Sequence, residues 1–103
     1  MKKVESFVPF WNFRDEPTTV GYLQSVIDLT INGKEQTACV FRDADGDDFL
    51  IGSGQIVYMA ERGKIVQGSC YMIKFVGQKK VGTMNYNNFE VMLLEHTDPE
   101  YFE

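Results

Sequence analysis

The feature that most constrains this chain is the dipeptide Asn32-Gly33, set between two long runs of strand-forming residues. Residues 19–31 (TVGYLQSVIDLTI) are rich in β-branched side chains, and residues 34–42 (KEQTACVFR) follow the dipeptide at once. Asn-Gly tolerates the positive φ angles that a two-residue type I′ turn demands, so the segment reads as a tight β-hairpin. Such a turn also fixes register. Ile31 is expected opposite Lys34, Leu29 opposite Gln36, Ile27 opposite Ala38, Ser25 opposite Val40 and Gln24 opposite Phe41.

Successive side chains in a strand point to opposite faces. One face of the hairpin then carries Leu23, Ser25, Ile27, Leu29 and Ile31 with Ala38 and Val40, and the other carries Tyr22, Gln24, Val26, Asp28 and Thr30 with Cys39 and Phe41. The first set is the more apolar and is expected to face the core, which leaves Tyr22, Gln24 and Phe41 outside. Exposed aromatics beside polar partners form a surface on which nucleobases can stack. Two other readings stay open. Tyr22 and Phe41 could pair across the strands or lie beneath the aromatic N-terminal segment. A bulge at Gly21 would turn Tyr22 inward.

The rest of the chain continues in short elements. The acidic stretch DADGDD leads into a third strand, DFLIG. SGQIVYMAERG reads as a short helix with Ser53 and Gly63 at its ends and Ile56, Met59 and Ala60 on one face. Residues 69–78 (SCYMIKFVGQ) form a fourth strand whose uncharged face, Tyr71, Ile73 and Phe75, is core and whose Lys74 points outward. Residues 79–88 (KKVGTMNYNN) read as a basic loop bearing Lys79, Lys80 and Tyr86, and 89–95 (FEVMLLE) as a fifth strand. The order β-β-β-α-β-β is that of an OB-fold, a five-stranded partly open barrel in which the loops joining strands one to two and four to five flank the ligand groove. A generic small β-barrel or an SH3-like barrel is the alternative. Residues 1–95 are read as one all-β domain and 96–103 as an acidic tail.

Composition narrows the function. Hydrophobic residues make up 44% of 103 residues, enough for a core without disulfides or metals. The net charge of −5 argues against an electrostatic grip on polyanions by the whole surface. The acids are clustered, however. Asp43, Asp45, Asp47 and Asp48 share one stretch, and Glu95, Asp98, Glu100 and Glu103 crowd the C-terminus. Lys74, Lys79, Lys80 and Arg14 therefore stand in a mildly basic body. The aromatic segment FVPFWNF either covers an open barrel end with Trp11 or extends a stacking surface through Phe10, Trp11 and Phe13.

Other chemistries lack their motifs. DADGDD fails the calcium-loop pattern, because its sixth residue is Asp48 and its twelfth Gly54. Cys39 and Cys70 form no CxxC pair and read as reduced core thiols. A single histidine, His96, offers no triad or metal cluster. No cofactor, metal or catalytic residue is expected, no run is apolar and long enough for a membrane span, and a cytosolic binding domain is the expectation.

The segments FWNF, VGYLQSV, KFVGQKK and YNNFEV, in this order with the helix between the second and third, resemble the small OB-fold single-stranded-DNA-binding proteins encoded by bacteriophages. In that family a hydrophobic-Gly-basic segment precedes a loop that ends in an aromatic and FEV. Here those residues are Val76 to Lys80 and Tyr86 to Val91. The resemblance covers about residues 7–95. It implies non-catalytic protection of single strands in DNA replication or recombination, and the residues that the hairpin face, strand four, the basic loop and the aromatic segment offer to the nucleic acid are Trp11, Arg14, Tyr22, Gln24, Phe41, Lys74, Lys79, Lys80 and Tyr86. It also implies that the tail, through Asp98, Glu100, Tyr101, Phe102 and Glu103, docks on replication or recombination partners and competes for the groove. The short first turn and the DADGDD stretch depart from the family's pattern. The competing function is a protein-interaction or structural barrel, such as a virion or adaptor module. A homodimer through the open edges of the barrel is compatible with either.

Overall fold

The computed structural model describes residues 8–95 and is an antiparallel five-stranded sheet with one short helix. The strands are β1 (Thr18–Ile31), β2 (Lys34–Arg42), β3 (Asp48–Ile51), β4 (Cys70–Val81) and β5 (Met84–Glu95), and α1 (Gly54–Glu61) lies between β3 and β4. The sheet order is β3-β2-β1-β4-β5, so β3 and β5 are its two ends.

The first hairpin forms as its turn dictates. Asn32 and Gly33 both have positive φ, 52° and 79°. Ile31 pairs with Lys34, Leu29 with Gln36, Ile27 with Ala38 and Ser25 with Val40. The register then slips by one, because Leu23, not Gln24, stands opposite Phe41. Gln24 is the bulged residue, and one extra residue reverses the facing of everything beyond it. The expected exposure of Phe41 is corrected: β2 runs without a bulge, its Cys39 and Phe41 share the covered face, and the bulge in β1 turns Leu23 onto that face beside them.

Gly21 is not the bulge, but it is needed for another reason. A Cβ there would sit 3.0 Å from the ring of Phe49 and 3.2 Å from the carbonyl oxygen of Arg42. The glycine lets Phe49 lie over β1 and stack on Phe41, their rings 5.8 Å apart.

β1 is shared between two neighbours. Its C-terminal part pairs with β2, and Thr18–Tyr22 pairs with Lys74–Cys70 of β4. The inner face carries Leu23, Cys39, Phe41, Ile51, Tyr71, Ile73 and Phe89, with Ile56 and Val57 of α1 packed against them. As expected, Ile56 and the face Tyr71-Ile73-Phe75 turn inward, with Lys74 outside. Ser53 precedes the helix but makes no side-chain cap bond. The Tyr71 hydroxyl accepts a hydrogen bond from the Val66 N–H at 2.7 Å, which anchors the loop between α1 and β4.

The expected basic loop at 79–88 is instead the tip of a hairpin. β4 runs to Val81 and β5 starts at Met84, leaving a two-residue turn, Gly82-Thr83, with Gly82 at φ 63°. Glycine at the first turn position is the II′ arrangement. A second bulge at Val76, followed by Gly77 at φ 109°, turns this hairpin.

The stretch Asp43–Asp47 is a tight turn. The Asp43 carboxylate accepts from the N–H groups of Asp45 and Asp47, both at 2.9 Å. Asp48 belongs to β3, where it takes a forked pair of bonds from Arg42 at 2.7 and 3.3 Å. That contact raises the Arg42 pKa and lowers that of Asp48.

Candidate nucleic-acid interface

The two ends of the sheet do not hydrogen-bond to each other as strands. Two other groups span the gap. The first is the N-terminal segment. Phe10 bridges in parallel to Leu50, with Trp11 N–H donating to the Leu50 carbonyl and Leu50 N–H to that of Pro9, both at 2.8 Å. The segment then crosses to the other end. Trp11 lies 5.7 Å from Phe89, and Phe13 lies 4.5 Å from Phe75 and 5.2 Å from Phe89. Aromatic pairs at these separations add to the burial energy of their surfaces. The Trp11 indole N–H donates to the Glu16 carbonyl at 2.7 Å, so the ring's polar edge is satisfied.

The second bridge is Gln55, in the first turn of α1. Its side-chain amide donates to the Phe89 carbonyl at 2.9 Å and accepts from the Phe89 N–H at 3.1 Å. One side chain thus substitutes for a paired strand at one residue of β5. Phe89 therefore presents its backbone groups away from β4. By strand alternation Asn87 and Asn85 do the same.

Between these bridges a groove runs along the open edge of β5. Its wider part has a volume of about 660 Å³ and is lined by Ser53, Gln55 and Tyr58 on one side and by Lys79, Tyr86 and the three asparagines Asn85, Asn87 and Asn88 on the other. A narrower depression of about 300 Å³ continues it toward Phe10, Trp11 and Phe13, sharing Gly52, Ser53 and Asn87. Gly52 gives the Phe10 ring close approach here, since a Cβ would sit 3.2 Å from it. Tyr58 and Tyr86 are each about half exposed. Arg62 stands 4.8 Å over the Tyr58 ring, bringing a second cation to the rim. Asn87 accepts a bond from Gln78 at 3.2 Å, which orients its amide.

The surface expected from sequence is thus divided. Trp11, Lys79 and Tyr86 come together in the groove and its extension. Phe41 is core and offers no face to a ligand. Tyr22 and Gln24 sit at the first bulge, where the Gln24 amide donates to the Tyr22 carbonyl. Lys74 lies on the outer face, across from Glu90. Lys80 pairs with Asn85 on the hairpin, and Arg14 stands 5.5 Å from the Phe13 ring. Asp98, Glu100, Tyr101, Phe102 and Glu103 lie outside the described residues. Sequence reasoning missed Tyr58, although it falls off the helical face defined by Ile56, Met59 and Ala60. It also missed Gln55 and the asparagines, whose roles depend on which strand edge is open.

No family model, curated protein or solved structure matches the chain. Among the described residues no helix is long and apolar enough to cross a membrane, and no group of side chains is suited to hold a metal ion.

Proposed function

We propose that this domain binds single-stranded DNA without catalysing a reaction, and that it takes the strand along the groove at the open edge of β5. The observation that carries this reading is the convergence of two half-exposed tyrosines, Tyr58 and Tyr86, with Lys79 on one groove lined by side-chain amides. Each base offers a π-face to an aromatic ring, at roughly 1–3 kcal/mol per stacked base. Lys79 supplies a partner for phosphate, and asparagine amides both donate to and accept from base edges. The antiparallel sheet with a helix between its third and fourth strands is compatible with an OB-type barrel. Protection of strands in phage or bacterial replication or recombination is the role that fits such a binder.

The test is titration with oligo-dT, read by the fluorescence of Trp11, the only tryptophan in the chain. Saturable quenching is expected at low salt. Tyr58→Ala and Tyr86→Ala should each weaken binding about tenfold, as loss of one stacked base would. Absence of any binding at low salt, by fluorescence and by filter retention, would sink the proposal. A protein-interaction module is the second reading, favoured by the open β5 edge, since an extended peptide can add to such an edge as a further strand.

A further inference from the structure

The outer face of β1, β4 and β5 carries a row of apolar side chains. Val20 pairs with Met72, and Met72 pairs with Met92. Val20 is 42% exposed and Met92 54%. In the neighbouring row Lys74 and Glu90 stand side by side across β4 and β5. Their charges are opposite, yet they form no ion pair with each other. A shallow depression of about 280 Å³ lies among Met72, Lys74, Glu90 and Met92.

We infer that this face is a self-association surface whose occupant is a second copy of the same chain. The argument is one of symmetry. Consider a two-fold axis that runs along the strands, midway between β4 and β5, in the plane separating two stacked copies. It exchanges Met72 with Met92 and Lys74 with Glu90, while Val20 on β1 lies outside the exchanged pairs. Lys74 then faces Glu90 of the partner subunit, and Met72 faces Met92 of the partner subunit. Both charges gain opposite partners, and both methionines gain apolar ones, with no adjustment of register. Stacked sheets lie about 10 Å apart, a gap that these long side chains span from both sides. An isologous contact of this kind is the commonest way for soluble chains to pair.

The axis brings together four residues of each copy, few beside the roughly 20–30 a side of a standard interface, so the dimer is weak and concentration-dependent. It leaves the groove along β5 to a ligand, and it stands or falls independently of the DNA-binding proposal.

Sedimentation velocity of the full chain, up to about 200 µM without nucleic acid, tests it. The expected result is a rise in weight-average sedimentation coefficient toward a dimer. Lys74→Glu and Glu90→Lys should each weaken association at least tenfold, because like charges then face one another. The double variant K74E/E90K should restore it. Met92→Asp should abolish it, with an unchanged circular-dichroism spectrum showing that the domain remains folded. Carbodiimide cross-linking in a mixture of isotope-labelled and unlabelled chains should join Lys74 to Glu90 between chains. A wild-type chain that stays monomeric throughout would overturn the inference. So would a dimer that is indifferent to the single reversals, or one that the double reversal fails to restore.

Discussion

Phe41 shows how much one residue's environment depends on which face of its strand the rest of the fold covers. The apolar residues near the hairpin tip suggest the opposite face as core, which would put its ring in solvent; Phe41 and Cys39 instead share the covered face of β2, and the bulge at Gln24 turns Leu23 onto it. Phe41→Ala is therefore expected to cost about 3–5 kcal/mol, a large part of a small domain's stability, measured by urea unfolding. A loss of DNA affinity in that variant would reflect unfolding. Tyr58→Ala, on an exposed helical position, should leave the unfolding midpoint nearly unchanged. The buried Cys39 thiol makes a separate prediction. Desolvation, with a smaller contribution from Glu61, pushes its pKa from 9.0 to about 11. Below pH 9 both folded and unfolded thiols hold their proton, and the stability is fully present. As pH rises from about 9 to 11 the unfolded chain releases a proton that the folded chain keeps, and stability falls by about 1–2 kcal/mol. Chemical denaturation across this range, compared with Cys39→Ala, isolates the effect. At pH 8 the native thiol should resist alkylation for as long as the domain stays folded.

At the scale of elements, the two hairpins make an instructive pair. Asn32-Gly33 announced its turn, since both residues tolerate positive φ. Gly82-Thr83 is flanked by lysines and asparagines that resemble a loop, and no apolar alternation marks residues 79–88 as strand. Those strands exist because each pairs with the other in a projecting hairpin, exposed along much of its length. Polar residues are tolerated there, and the pattern that reveals a half-buried strand is missing. The link between α1 and β5 was equally hidden, because Gln55 and Phe89 are far apart in sequence. Gln55→Ala removes both bonds to Phe89 and should destabilise the domain by about 1–2 kcal/mol. Hydrogen exchange at the Phe89 amide should accelerate while the amides of the β1–β2 hairpin change little. Equal acceleration everywhere would mean that the clasp has no local role.

For the whole molecule, charge and shape set different limits. The net charge is −5, and the groove and its rim gather few cations: Lys79, Arg62 and, nearby on the hairpin, Lys80. With about three phosphates neutralised, the logarithm of the binding constant should fall against that of salt with a slope of about −2, a shallow dependence for a DNA binder. A much steeper slope in oligo-dT titrations would place the strand on another, more basic surface. Deletion of residues 97–103 removes acidic groups and should raise affinity at low salt, the effect shrinking as salt screens it. Unchanged affinity would argue against competition by the tail.

The sequence by itself determined the all-β class, the order of the elements, the first turn and most of its register, and the inward face of β4. These follow from local rules: positive φ at Asn-Gly, β-branched content, and an alternation that a single lysine, Lys74, makes legible. Tertiary structure alone decided the rest. It set which face of β2 is covered and so buried Phe41, the bulge at Gln24 that turns Leu23 beside it, the Phe49 ring lying over Gly21, and the gap between β3 and β5 bridged by Trp11, Phe13 and Gln55. It also chose which aromatics share a groove. Those outcomes depend on contacts between residues distant in the chain, where packing the Phe41, Phe49 and Phe89 rings into one core outweighs the local preference of any single strand.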